Sequence, residues 1–214
     1  MASSMEKAEL HVEGDDDLHT IIQLLIRHGI DYDSRRDELP DLKKADGVEK
    51  LLTSMEAVTM ASAGRVVGFV LDANGPVPDR WRAVTGQLSK TGVSCPERPP
   101  AGGFIGCSRH HATVGVWLMP DNQREGKLET LLRSLIDEQD TLIGHAEAST
   151  TAAKGMGARF SEPDQIKAVL HAWLAWQEEP GRPYGSAIRN RYFRCDSEAA
   201  KAFVKWFKQL FGTG

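Results

Sequence analysis

Arg65-Val66-Val67-Gly68-Phe69-Val70-Leu71-Asp72 is the stretch on which the fold turns. Its apolar residues run on without the alternation of a half-exposed strand, so it reads as a strand covered on both faces, as in a parallel sheet. Asn74-Gly75-Pro76 breaks it, and a helix follows from Asp79 to Thr91, with Trp81, Val84 and Leu88 on one side and Gly92 behind. Residues 94–106 are rich in Pro and Gly and read as a loop, with a short strand at Phe104-Ile105. Val114–Met119 repeats the buried-strand pattern, stops at Pro120-Asp121-Asn122, and leads into a helix from Lys127 to Glu138. Towards the N-terminus, Glu9–Glu13 is a short buried strand, turned by Gly14. The helix after it carries Leu18, Ile21, Ile22, Leu24, Leu25 and Ile26 and closes at His28-Gly29, since glycine commonly ends a helix.

Residues 31–46 are polar, contain Pro40 and read as a loop, and Val48–Met60 begins as a helix. Later helices are expected over Asp140–Lys154, from a Ser161 cap with Pro163 in the first turn through Trp176, and from an Asp196 cap to Leu210. Strands alternating with helices make this an α/β chain, a three-layer sandwich around a mostly parallel sheet.

A length of 214 residues with 41% apolar types suits one domain whose core needs no disulfide, with residues 1–8 expected to be disordered. Three cysteines are odd in number and sparse, which suits a reducing cytosol. The apolar runs are too short to cross a bilayer, and Met1–Leu10 lacks a signal peptide's apolar region, so a cytoplasmic protein without a membrane partner is expected. A net charge of −4 argues against a purely charge-driven nucleic-acid binder. An enzyme holding phosphates through metal ions and a local basic patch is still allowed.

Position is what singles out the acids. Glu13, Asp72 and Asp121 each follow an apolar strand. In a parallel α/β sheet the carboxyl ends of the strands line one crevice, where ligands bind. Three carboxylates converging there would repel one another unless a hard cation such as Mg²⁺ lay between them. For any one of them a turn-forming role is the commoner explanation, and Asp15-Asp16-Asp17 suits a helix N-terminus without any function. The threefold recurrence favours a site.

Val12-Glu13-Gly14 with Asp17, followed by Val70-Leu71-Asp72-Ala73-Asn74, resembles the Toprim domain. That is the metal-binding fold of topoisomerases, primases and the overcoming-lysogenization-defect nucleases. Gly115–Asn122, Gly126-Lys127-Leu128-Glu129, Lys167-Ala168, Trp173–Gln177 and Pro180-Gly181 extend the likeness to a prokaryotic Toprim-like family of unassigned function, from about residue 8 to 211. The resemblance implies a Toprim-like sheet, Mg²⁺ or Mn²⁺ held by Glu13, Asp17, Asp72 and Asn74, and divalent-metal-dependent nuclease activity on DNA or RNA. Asp121 joins that shell from the strand-end pattern. Glu13 is then metal ligand or general base, and Lys167 a cation that stabilises developing charge. A solvated helix lysine is an equally good reading of Lys167. The chain departs from the Toprim Asp-x-Asp at Asn74, a neutral ligand that weakens metal binding or recruits Asp121 or Glu129. The alternative is a non-catalytic Toprim-like module that binds a phosphate ligand or a partner protein, within a defence or toxin–antitoxin system.

Other clusters carry less. Cys95, Cys107, His110 and His111 lack zinc-site spacing. Arg189, Arg191 and Arg194 interleave with Tyr192 and Phe193 as in single-strand binders, although one charged and one buried face explains them as well. Arg80, Arg82, Arg109 and Arg124 fall near the expected crevice mouth, and Trp173 and Trp176 read as core.

Overall fold

The computed structural model describes residues 7–213. In chain order its elements are β1 (Glu9–Val12), α1 (Asp15–Arg27), β2 (Asp41–Lys44), α2 (Val48–Ala61), β3 (Val66–Asp72), α3 (Val77–Lys90), β4 (Phe104–Cys107) and β5 (Thr113–Met119). Then come α4 (Leu128–Ser134), α5 (Thr141–Gly155), a 3₁₀ turn at Glu162–Asp164, α6 (Gln165–Leu174), α7 (Tyr184–Arg189) and α8 (Glu198–Phe211). The five strands form one sheet in the order β2-β1-β3-β5-β4. All neighbours are parallel except β4, which runs antiparallel to β5.

The continuous apolar runs of β3 and β5 now have their cause. Val67, Phe69 and Leu71 of β3, with Val114, Val116 and Leu118 of β5, pack against α2 and α3 on one face. Val70, Trp117 and Met119 pack against α1 and α4–α8 on the other. Helices therefore cover both faces, and the molecule is the expected three-layer α/β sandwich. Gly68 and Gly115 are register partners on the α8 side. A Cβ on Gly115 would meet Leu210 side-chain atoms at 2.3, 2.9 and 3.0 Å, and one on Gly68 would meet Leu10 Cδ1 at 2.7 Å. The glycine pair is the seat into which α8 presses Leu210.

Several sequence expectations are corrected. Residues 31–46 are not all loop: Asp41–Lys44 is the parallel edge strand β2. Lysine and aspartate suit an exposed edge because they oppose pairing with another chain. The helix at Val48 runs unbroken to Ala61, that at Lys127 stops at Ser134, and that after Ser161 stops at Leu174. Ser197, not Asp196, caps α8, its side chain accepting from Ala200 N. Tyr184–Arg189, with no expected helix, forms α7. The disorder expected for residues 1–8 falls mostly outside the described residues; within them Lys7 donates to Arg36 O at 2.7 Å.

Gly115→Ala is expected to cost about 1–3 kcal/mol in urea unfolding, because the core must move to admit the methyl group. The cost should shrink in a Leu210→Ala background. An equal cost in both backgrounds would show that Leu210 does not rest on the glycine.

Candidate metal centre

Parallel pairing puts the carboxyl ends of β1, β3 and β5 on one edge of the sheet. There Glu13, one residue past β1, turns its Oε1 to accept a 2.7 Å hydrogen bond from the amide N of Asp72. Asp72 Oδ1 accepts from Leu128 N at 3.0 Å. Asp17, in the first turn of α1, reaches back to accept from Gly14 N at 3.0 Å. Each carboxylate is thus oriented by one backbone N–H through one of its oxygens.

The chain returns to the site after β5. Gly126 bridges Ala73, its N–H donating to Ala73 O at 3.0 Å. That contact carries Lys127, Leu128 and Glu129 to the end of β3. Gly126 has φ +151, and a Cβ there would lie 2.6 Å from Thr130 Oγ1, so the close return suits glycine. The result is a cavity of about 500 Å³ lined by Glu13, Asp17, Asp72, Asn74, Lys127, Glu129 and Lys167 among others. Lys167 Nζ stands 3.3 Å from Asp16 and 3.6 Å from the buried Glu129, and Lys127 Nζ 3.2 Å from Asp164.

The site's electrostatics follow from burial without enough positive charge. Burial, then the neighbouring Glu13, Asp17 and Glu129, push the Asp72 carboxyl far above the usual carboxylate range. Burial and then Glu13 raise Asp17 to about 7. Glu13 is also raised, chiefly by burial, against the pull of the Asp72 N–H and the Arg80 guanidinium. Buried like charges hold protons in this way when no cation neutralises them.

Asp121 does not belong to the group. Its carboxylate accepts from Gln123 N and Arg124 N and pairs with Arg124 Nε at 2.6 Å. Burial works against it, but the Arg124 and Gln123 bonds hold its pKa below the ordinary value. It is the turn former at the end of β5, while the neighbouring Asn122 accepts from Leu118 N through its side chain and closes the strand. Glu129 occupies the position that Asp121 was expected to fill.

Several residues of the weaker clusters have structural partners. The three cysteines are free. Phe193 packs on Trp173 in the core, Tyr192 accepts from Glu179 N, and Arg194 pairs with Asp137. Arg82 pairs with Asp79, and Arg109 donates to Lys90 O. Trp173 is core as expected, whereas Trp176 is 41% exposed.

A family model described as protein of unknown function, DUF3226, matches residues 7–212. The chain belongs to the DUF3226 family. Comparison with curated proteins and with solved structures gave no match. Among the described residues no helix is long and apolar enough to cross a membrane.

The donors suit a hard cation, being oxygen throughout, with surplus negative charge. Among the described residues no three His, Cys, Asp or Glu side chains are already gathered closely enough to hold an ion. Among the described residues nothing donates a hydrogen bond to Glu13 Oε2 or Asp72 Oδ2, which leaves these atoms for a ligand.

A carboxyl group whose folded pKa lies above its unfolded one binds a proton more strongly in the folded state. The stability that this proton supplies to Asp17 is full below the unfolded value of 3.8 and is lost as pH rises to about 7. Metal-free protein should therefore melt at lower temperature at pH 8 than at pH 5. Asp17→Asn should raise the midpoint most at pH 8, less at pH 5, and leave it nearly unchanged only below the unfolded value of 3.8, where both states hold the proton. Thermal unfolding in chelator checks this, and no gain at pH 8 would remove the repulsion argument.

Proposed function

We propose that this DUF3226 chain is a divalent-metal-dependent phosphodiesterase acting on nucleic acid, with the carboxylate cavity as its active site. The observation that carries the reading is the confinement of Glu13, Asp17 and Asp72 in one pocket, with proton affinities raised by burial and mutual repulsion. Such a pocket gains most from a cation. The Toprim resemblance of Val12-Glu13-Gly14 and Leu71-Asp72-Ala73-Asn74 supports the same choice.

Glu13, Asp72 and Asp17 would hold Mg²⁺ or Mn²⁺, with Asn74 a neutral donor and Glu129 in place of Asp121. When bound, the ion supplies Lewis acidity towards a phosphoryl oxygen and a more acidic water. The chain's own groups do the rest. Lys127 and Lys167 stand at the cavity wall as cations for phosphate oxygens. Their carboxylate partners Asp164 and Asp16 are about half exposed, so exchanging them for a phosphate costs little. Glu13, bound through Oε1 to the Asp72 amide, keeps Oε2 for a proton or a ligand. Its raised pKa brings it closer to the range in which a base works at neutral pH.

One observation favours a second reading, that of a non-catalytic phosphate-binding module. Asn74, on the cavity rim, contributes no charge, and lysine–carboxylate pairs already supply cations for an anion.

Two experiments separate the readings. Calorimetry is expected to give weak Mg²⁺ or Mn²⁺ binding that tightens in Asn74→Asp, because one more charge strengthens the attraction by about 1 kcal/mol or more. Unchanged affinity would remove Asn74 from the site. With Mn²⁺, purified protein is expected to cleave DNA or RNA slowly. Glu13→Gln, which keeps an acceptor for Asp72 N, and Asp72→Asn should each abolish the activity with folding intact. Failure to cleave with any divalent ion favours the non-catalytic module, and cleavage that survives both substitutions contradicts the assignment of the site.

A further inference from the structure

Charge on the helical layer is divided by α1. Its first turn brings Asp15, Asp16 and Asp17 to the carboxylate cavity, and its last turn carries Arg27, followed by His28. A helix of 13 residues is about 20 Å long, so its two ends are separate surfaces.

At the Arg27 end, α1 meets α8. Two adjoining cavities share His28 and Lys201. One, of about 470 Å³, is lined by His28, Lys201, Lys205 and Lys208 with Val204 and Gln209; the other, of similar size, by Arg27, His28, Lys201 and Arg194 with Cys195 and one carboxylate, Asp196. Lys201, Lys205 and Lys208 are four and three residues apart on one side of α8, a rise of roughly 6 and then 4.5 Å. Core packing forces that arrangement, since Phe203, Val204, Trp206, Phe207 and Leu210 take the buried side.

Helix dipoles explain only part of this charge. Cations are favoured in the last turn, as with Arg27 and Lys208. Lys205 lies mid-helix, and Lys201 lies near the N-terminal end, where a cation is disfavoured. Ion pairing does not account for it either. Lys201 pairs with Glu198, and Arg194 with Asp137 and Asp196. Arg27, Lys205 and Lys208 have no ion pair among the described residues. In the groove His28 Nε2 donates to Cys195 O at 2.7 Å. Burial chiefly lowers its proton affinity, the bond to the Cys195 carbonyl opposes this, and Lys208, Arg27 and Lys201 add smaller repulsions. This gathering of cations stands out on a chain with a net charge of −4.

We propose that the surface formed by the end of α1 and the exposed side of α8 binds the phosphate backbone of a nucleic acid, at a distance from the carboxylate cavity. The choice of nucleic acid over other polyanions rests on the phosphodiester reading above. A row of point charges a few ångströms apart suits successive phosphates, and neither cavity is lined by Phe, Tyr or Trp on which a base would stack. Binding here is therefore indifferent to sequence and sensitive to salt. It gives an acidic protein a grip on a polyanion that its own carboxylate pocket repels.

Fluorescence anisotropy with labelled single-stranded and duplex oligonucleotides, over a salt series, tests the proposal. Lys205→Ala/Lys208→Ala should weaken binding by roughly tenfold at low salt. It should also lower the slope of log K against log salt by about 1 for each lysine removed. A Lys205→Glu/Lys208→Glu variant should lose more. Both should keep the circular dichroism of the parent and its calorimetric Mg²⁺ binding, so the outcome is distinguishable from failure of the metal reading. Unchanged affinity and slope would overturn the proposal. So would retention by phosphatidylserine vesicles with no binding to oligonucleotides, which would assign the surface to a lipid headgroup.

Discussion

The hydrogen bond from Asp72 N to Glu13 Oε1, 2.7 Å long, joins the ends of two parallel strands. Asp72 closes a seven-residue strand whose five central residues are buried, so its backbone has almost no freedom to move away. Glu13 is tied to that fixed end. Asp72 Oδ1 is in turn tied to Leu128 N, which fixes where the chain re-enters after β5 and hence where Lys127 and Glu129 lie. The sheet thus holds carboxylates close together that would separate in water. Their repulsion is met by raised proton affinity, or by a cation.

Burial on both faces made much of this fold legible in sequence. Val66–Asp72 and Thr113–Met119 could hardly be anything but inner strands, because helices cover them from both sides. β2 was hidden for the converse reason: Asp41-Leu42-Lys43-Lys44 is an edge strand with a single apolar residue, so composition alone makes it a loop. α7 was hidden by the turn signals of Pro180–Pro183 before it. Its identity comes from packing, with Tyr184, Ala187 and Ile188 buried and Gly185 against the backbone of His19.

The site was half legible. Glu13 and Asp72 stand where strand ends in a parallel sheet must stand, whereas Asp17 entered only through the Toprim resemblance, since its place at a helix start needed no function. Asp121 shares the local pattern, yet Arg124 and two backbone N–H groups satisfy it. Only tertiary structure separates a turn-forming aspartate from a ligand-facing one. Glu129 is the converse case. It entered the sequence reading only as a compensating ligand, and the Ala73–Gly126 bridge that brings it to the cavity joins residues far apart in the chain. The basic side of α8 played no part in the sequence reading, because its nearness to Arg27 and His28 arises only in the folded chain.

Site-specific carbon NMR of the Asp17 and Asp72 carboxyl groups, titrated with and without Mg²⁺, tests the central claim most directly. In metal-free protein Asp17 is expected to titrate near pH 7 and Asp72 higher still. Saturating Mg²⁺ should shift both to lower pH, because the cation favours the ionised forms. Carboxyl groups that titrate near pH 4, the ordinary range for aspartate, and do not respond to Mg²⁺ would contradict it.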